Sequence, residues 1–384
     1  MKICIATGTR AEYGLLKPLI DEIINDPLLD FQLLVTGAHL SPEFGLTYQQ
    51  IEKDGLKIDA KVEMLLSSDT PESIVKSMGL ALIGFADALK NLNPDLLVIL
   101  GDRYEMLAMA SAALIFKIPV AHIHGGEITE GAYDDAIRHS ITKMSHLHFA
   151  STEEYKDRII QLGENPEKVY NVGAIGLDNV LKINFLTKEE LEESLNIKFS
   201  KYNYQVTFHP ATLDAVPPKE QFETLLSAID DQEDSFFIFT KANADTDGRI
   251  INQLIDQYVA KNSHKAAVFP SLGTLRFLSL IKICDAIIGN SSSGIIEAPS
   301  LHTATINIGD RQKGRIQAEG VCNTGVDKNE ISKAFEKVKT KDFQEIVRSV
   351  ANPYGKGETA KAILNVIKKI DLTDLTLKSF HNLK

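Results

Sequence analysis

The sequence predicts an α/β protein built from two successive doubly wound parallel-sheet domains. Three observations predict it. Short, wholly apolar runs such as Leu96–Leu100 and Pro119–Ile123 read as strands buried on both faces. Segments of helix length, such as Tyr104–Phe116, lie between such runs. The alternation repeats through both halves of a 384-residue chain that is too long for one comfortable core. The domains are expected at 1–178 and 179–365, with a C-terminal helical segment 366–384 packing back on the first.

In the first half, Lys2–Ala6 reads as a strand, Thr7–Gly14 as a glycine-containing loop and Leu15–Ile24 as a helix with apolar spacing of three and four. Phe31–Thr36 is a second strand, followed by the loop GAHLSPEFGLT, in which His39 is either packed or a ligand. A weaker strand lies near Ile58–Met64. A long helix, Pro71–Asn91, leads into the unit around Leu96–Ile123. His146–Ser151, Glu153–Gly163 and Val169–Val172 read as strand, helix and strand. The acidic helix Lys188–Leu195 and the polar segment KFSKYNYQ read as the crossover.

The second half alternates again. Strands are expected at Gln205–His209, Phe236–Thr240, Ala266–Phe269, Ala286–Gly289 and Thr305–Ile308. The helices between them are Lys219–Ala228, Gly248–Lys261, Leu272–Ile283 and Gly294–Ser300. Tyr354–Ile370 reads as a terminal helix after the breaker Asn352–Pro353.

A hydrophobic content of 44% and a charged content of 24% are those of an ordinary soluble globular protein. A formal charge of −11 and a pI near 5.5 argue against nucleic acid or an anionic membrane as partner. Cys4, Cys284 and Cys322 are few and far apart, as expected of reduced core thiols in a cytoplasmic protein. The amino-terminal apolar run is too short for a signal segment, and nothing approaches the roughly 18 apolar residues of a spanning helix.

Parallel sheets bind ligands beyond the carboxyl ends of their strands, which directs attention to the ionisable residues there. Asp102, Arg103 and Glu105 follow Leu96–Leu100; His122, His124, Glu127, Asp134, Asp135, Arg138 and His139 lie in or after Pro119–Ile123. Asp102, Glu127, Asp134 and Asp135 form a carboxylate group suited to proton transfer. His122 and His124 are expected to point to different sides, and no compact ligand set accompanies them, so no metal is expected. Arg10, in the first loop, is either a diphosphate ligand or a surface arginine; the loop has neither the dinucleotide nor the Walker fingerprint.

In the second half IGNSSSGIIE is the strongest motif. Ser291, Ser292, Ser293 and Gly294 at a helix start suit phosphate oxygens, and Glu297 one turn later suits ribose hydroxyls; the plainer reading is a serine cap. Arg311, Lys313 and Arg315 follow the next strand as an anion-binding loop. His209, in FHP, is a phosphate donor, a general acid or a packed histidine.

GTRAEYG, LGDRYE, HIHGGE, DDAIRHSITK, FHP, GNSSSG and GDRQKGR, in this order, resemble the motifs of hydrolysing UDP-N-acetylglucosamine 2-epimerases of bacterial sialic acid biosynthesis. The resemblance spans roughly residues 1–370. It implies a GT-B-like fold, two Rossmann-like domains with a cleft between them, UDP mostly on the second and sugar chemistry on the first. It implies a reaction in which UDP-N-acetylglucosamine and water give N-acetylmannosamine and UDP, by anti elimination to 2-acetamidoglucal and then hydration, at the start of a route to a capsule or surface polysaccharide. Asp102, Glu127 and Asp134 match the pattern as proton carriers, with His209 beside them. Some relatives carry glutamate at the position of His124, which leaves its role open. The UDP site implied comprises Arg10, Arg103, His209, Ser291, Ser292, Ser293, Gly294, Glu297 and Arg311. No cofactor is expected, the partner is a nucleotide sugar, and a homodimer or homotetramer is expected. Close relatives act on UDP-2,4-diacetamido-2,4,6-trideoxyglucose, which remains an alternative substrate. A glycosyltransferase of the same fold would need an acceptor; a nucleotide-sugar sensor would not need the carboxylates.

Overall fold

The structure, a computed structural model, describes residues 1–211, 213–214, 216–242 and 247–383. The chain forms two compact units. The first comprises Met1–Glu127, Asp134–Asn179 and Tyr354–Lys384; the second comprises Ile128–Tyr133 and Val180–Pro353.

The first unit is built on a seven-stranded parallel sheet: β1 (Lys2–Thr7), β2 (Asp30–Thr36), β3 (Ala60–Val62), β4 (Leu96–Leu100), β5 (Val120–Ile123), β6 (Leu147–Ala150) and β7 (Val169–Asn171), in the order β3-β2-β1-β4-β5-β6-β7. Successive side chains of β1 enter different cores. Ile3 and Ile5 pack with Leu16, Leu19 and Ile20, while Cys4 and Ala6 pack with Phe85, Leu97 and Met109. Apolar cover on both faces is why β1 and β4 are almost wholly apolar.

The first helix begins at Arg10, earlier than the expected Leu15. Thr9 accepts from the Glu12 amide at 3.2 Å, and Glu12 accepts in return from the Thr9 amide at 3.1 Å. This capping box satisfies donors that a loop would have left to solvent. The terminal helix begins late, at Thr359, because Gly355, Gly357 and Glu358 have left-handed backbone. Both oxygens of buried Asp178 accept from the Thr359 and Ala360 amides at 2.8 Å. That helix ends at Lys369, and turns rather than helix follow; Lys384 lies outside the described residues. Ala360, Ile363 and Ile367 complete the core beside Leu16 and Ile20, so the return to the first unit starts at Tyr354 rather than at residue 366.

The second unit holds a six-stranded parallel sheet: β8 (Tyr202–Thr207), β9 (Ser235–Thr240), β10 (Ala266–Phe269), β11 (Ala286–Gly289), β12 (Ala304–Ile308) and β13 (Val321–Thr324), ordered β10-β9-β8-β11-β12-β13. The expected crossover KFSKYNYQ in fact contains the start of β8. Tyr204 is fully buried and stacks on Phe237, with centroids 5.2 Å apart. β8 also ends early, which leaves His209 beyond the strand. In place of the expected helix Gly294–Ser300 there is one α-turn, Ser293–Ile296, and then a 3-10 turn, Ala298–Leu301, as Pro299 cannot donate to a continuing helix. No helix among the described residues is long and apolar enough to cross a membrane.

Candidate active site

In each sheet the strand order reverses direction at one place, between β1 and β4 in the first unit and between β8 and β11 in the second. Such switch points open a crevice beyond the strand ends. The predicted site residues fall mainly at and beside these two places.

At the first, Arg10 opens the helix after β1 and Arg103 precedes the helix after β4. Arg103 Nε donates to Glu105 Oε1 at 2.6 Å, and that carboxylate is almost wholly buried. A side chain at residue 8 would bring its Cβ within 2.5 Å of Glu105 Oε1, so only glycine fits against this carboxylate. Glu12 lies nearby, its Oε2 accepting from the Gly8 amide at 2.6 Å. Burial, reinforced by the charge of Glu105, pushes the Glu12 carboxyl up to about 7. A carboxyl raised from its ordinary 4.5 stabilises the fold fully below 4.5, and this contribution is lost as pH rises through about 7. Between pH 5 and 8 the wild-type melting temperature should therefore fall by an increment that Glu12→Gln lacks; equal slopes for the two proteins would refute this.

Further along, the ends of β4 and β5 converge on one guanidinium. Arg138, on the helix Asp134–Met144, is 1% exposed. It donates through Nη2 to Asp102 Oδ2 and through Nη1 to the Glu127 carbonyl at 3.0 Å, with Asp135 Oδ1 3.8 Å away. The Glu127 carboxylate is buried; it accepts from Ser151 Oγ, beyond β6, at 2.8 Å. His124 Nε2 accepts from the Ile175 amide at 3.2 Å, so a neutral ring carries its proton on Nδ1, which faces Glu127 Oε1 at 3.4 Å. Asp102, Glu127 and His124 thus form one connected group, and Asp134 stands at the first position of the same helix as Arg138.

His122 and His39 have structural roles. His122 Nε2 donates to the Gly101 carbonyl at 2.7 Å and Nδ1 meets Thr142 Oγ1 at 3.2 Å; burial pushes it down to about 3. Residues two apart in a strand share a face. His124 nevertheless takes different partners because β5 ends at Ile123 and His124 has a φ of 65°. His39 is fully buried between Thr7 and Thr47 and lowered to about 4, which resolves it as a packed residue. Among the described residues no three His, Cys, Asp or Glu side chains are grouped so as to hold a metal ion.

At the second switch point Asn290, 1% exposed, locks the ends of β8 and β11 together. Its Oδ1 accepts from the His209 amide at 2.7 Å, its Nδ2 donates to the His209 carbonyl at 2.8 Å, and its own carbonyl accepts from Arg311 Nη1 at 3.0 Å and Gln312 Nε2 at 2.8 Å. A Cβ on Gly289 would stand 2.0 Å from the Thr207 carbonyl, so this close approach requires glycine. His209, the serine turn and Arg311 are thereby brought to one rim. Ser291, Ser292 and Ser293 are partly exposed, and buried Glu297 ends the α-turn. A single turn carries little macrodipole, so what this rim offers an anion is the hydroxyls, the turn amides and Arg311.

The segment Ile128–Tyr133 belongs to this second unit, although Glu127 and Asp134 on either side of it belong to the first. Arg315 Nε donates to the Ile128 carbonyl at 3.2 Å, and the Glu130 amide donates to the Lys313 carbonyl at 3.3 Å. Arg315 and Lys313, expected in an anion loop, therefore also seat this segment. Arg138, Asn290, Glu12 and Ser151 were not assigned these roles from the sequence. Arg138 carried a signal: it shares the buried stripe of its helix with Ile141 and Thr142, where a charge needs a partner.

Two doubly wound parallel-sheet units, each with polar residues gathered at its switch point, place the chain in the GT-B-like α/β class. The profile of the UDP-N-acetylglucosamine 2-epimerase family matches residues 21–368. The chain is 48% identical over 383 residues, 100% of its own length and 99% of the relative's, to a GDP/UDP-N,N'-diacetylbacillosamine 2-epimerase (hydrolyzing) of Campylobacter jejuni. It is 41% identical over 370 residues, covering 96% and 93% of the two chains, to polysialic acid biosynthesis protein P7 of Escherichia coli. The crystal structure of UDP-GlcNAc 2-epimerase from Neisseria meningitidis bound to UDP-GlcNAc shares the fold, with a TM-score of 0.80, 21% identity and coverage of 96% and 100%. The chain belongs to the UDP-N-acetylglucosamine 2-epimerase family.

Proposed function

We propose that this chain is a hydrolysing 2-epimerase whose substrate is nucleotide-linked N,N'-diacetylbacillosamine, that is, 2,4-diacetamido-2,4,6-trideoxyglucose. The observation that carries the reaction is the pairing of Asp102 and Glu127 through buried Arg138, with His124 beside Glu127. The substrate is favoured by the 48% identity over full length to a diacetylbacillosamine 2-epimerase. UDP-N-acetylglucosamine is the second reading, favoured by the 41% identity to a polysialic acid biosynthesis protein.

In this reading His209, Arg311, the serine hydroxyls and the Gly294 turn hold the nucleotide diphosphate, and Glu297 holds the ribose. As a carboxylate removes the proton from C2, the C1–O bond breaks and its electron pair leaves with the diphosphate, giving a 2-acetamidoglucal. Water then adds at C1 while a proton is delivered to C2 from the opposite face. The net change is substrate plus water to free nucleotide plus the 2-epimeric sugar. Asp102, Glu127 and Asp134 are the proton carriers.

The test is NMR of the protein with UDP-N-acetylglucosamine and with UDP- and GDP-linked N,N'-diacetylbacillosamine, in deuterated water and without acceptor. Nucleotide should be released fastest from a diacetylated substrate, and the sugar product should carry deuterium at C2. Faster turnover of UDP-N-acetylglucosamine would select the second reading. Absence of nucleotide release without an acceptor, or retention of the original C2 hydrogen, would overturn the reaction.

A further inference from the structure

β5 ends at Ile123, and the segment His124–Glu127 that follows is fastened along its backbone. The His124 amide donates to the Phe149 carbonyl at 2.9 Å, Arg158 Nη1 donates to the Gly126 carbonyl at 2.6 Å, and Arg138 Nη1 donates to the Glu127 carbonyl at 3.0 Å. A Cβ on Gly126, whose φ is 77°, would stand 2.3 Å from the Tyr155 carbonyl, so the segment lies close against the helix Glu153–Gln161. The backbone is thereby fixed. The rotation of a carboxylate about its last bond is soft, however, and needs its own restraint.

Two side chains supply that restraint at one oxygen. Ser151 Oγ donates to Glu127 Oε1 at 2.8 Å, and His124 Nδ1 faces the same oxygen at 3.4 Å. All three residues are buried, so little solvent reaches these contacts. The His124 ring cannot exchange its proton position without loss: Nε2 accepts from the Ile175 amide, and a proton on Nε2 would set N–H against N–H. Its proton therefore stays on Nδ1, facing Glu127. A general acid or base must present its nitrogen to the reacting atoms. Here one nitrogen is taken by a backbone amide and the other by a carboxylate.

We propose that His124 and Ser151 are positioning residues: they hold the Glu127 carboxylate in one orientation, and His124 itself moves no proton to or from the sugar. The inference rests on the reading of Glu127 as a proton carrier. A carboxylate pinned before the substrate arrives needs no reorganisation during the transfer, and that is how the two side chains act on the rate.

Steady-state kinetics of the full chain with the diacetylated substrate test this, together with histidine 15N NMR of the free protein and circular dichroism to confirm that each variant folds. Ser151→Ala should lower kcat about tenfold with KM within about twofold, since one donor to a charged acceptor is lost. Two amides separate the nitrogens of His124. His124→Asn places an N–H at the position of Nδ1 and suits the left-handed backbone, φ 65°, so kcat should fall by no more than about fivefold. His124→Gln places an acceptor at the position of Nε2 and turns its N–H away from Glu127, and should lose about tenfold or more. The NMR signals that His124→Asn removes should be those of an Nδ1–H tautomer. The proposal is overturned by an Nε2–H tautomer or an imidazolium at about pH 7, by Ser151→Ala turning over like wild type, or by His124→Asn losing as much as Glu127→Gln. A wild type that releases no nucleotide overturns the reading of Glu127 and this inference with it, whereas the other results overturn the inference alone.

Discussion

Asp102→Asn and Glu127→Gln are each expected to lower turnover by about 10²–10⁴-fold, the range that general acid–base groups contribute, while nucleotide affinity stays within about twofold. The amides preserve shape and abolish basicity. Asn keeps an oxygen to accept from Arg138, and Gln keeps one to accept from Ser151, so both folds should survive. Their effects need not be alike. If one group serves only the second proton transfer, its amide should release 2-acetamidoglucal rather than the 2-epimeric sugar, and NMR distinguishes the two products directly. Wild-type turnover in both variants would remove these carboxylates from the reaction.

Arg138→Met is expected to lower stability by about 3 kcal/mol, roughly 1.5 for each of the two charge-assisted bonds it removes. That is the lower end of the range for such bonds, because the Asp102 side chain retains 22% of its exposure and can recover some hydration. Methionine fills most of the volume, so the loss should report the bonds rather than a cavity. Turnover should fall as well, since one guanidinium sets the positions of both Asp102 and the backbone of Glu127. Arg138→Lys should fall between the two, as an ammonium keeps the charge without the fork that reaches two acceptors at once. Urea denaturation that leaves Arg138→Met within about 0.5 kcal/mol of wild type would mean that the ends of β4 and β5 are held by other contacts.

How far the sequence could be read follows from what each element buries. Leu96–Leu100 and Ala286–Gly289 were placed with the observed limits, because a strand covered on both faces is apolar throughout and leaves no ambiguity. β13 was missed. Val321–Thr324 is an edge strand, buried only at Cys322, with too little apolar content to stand out. The helix Lys328–Lys339 lies outside the expected elements, although Ile331, Ala334, Phe335 and Val338 repeat at three and four. At the site, strand-end acids were legible because the switch-point rule needs only the order of elements. The work of Asn290 was not, since its partner at His209 is adjacent only once β8 and β11 pair. Arg138 was read as one ionisable group among several; its burial is set by the packing of its helix.

The helix Thr359–Lys369 carries a consequence for synthesis. The ribosome delivers β1 and the helix Arg10–Ile24 before Val180–Pro353, yet the groove that Ile363 and Ile367 fill beside Leu16 and Ile20 is not closed until after that segment has emerged. Meanwhile the whole of Val180–Pro353 has been made. The domain begun first is therefore finished last. Until that helix has emerged, its apolar groove stands open to water, to its neighbours on the polysome and to any chaperone that binds such surfaces.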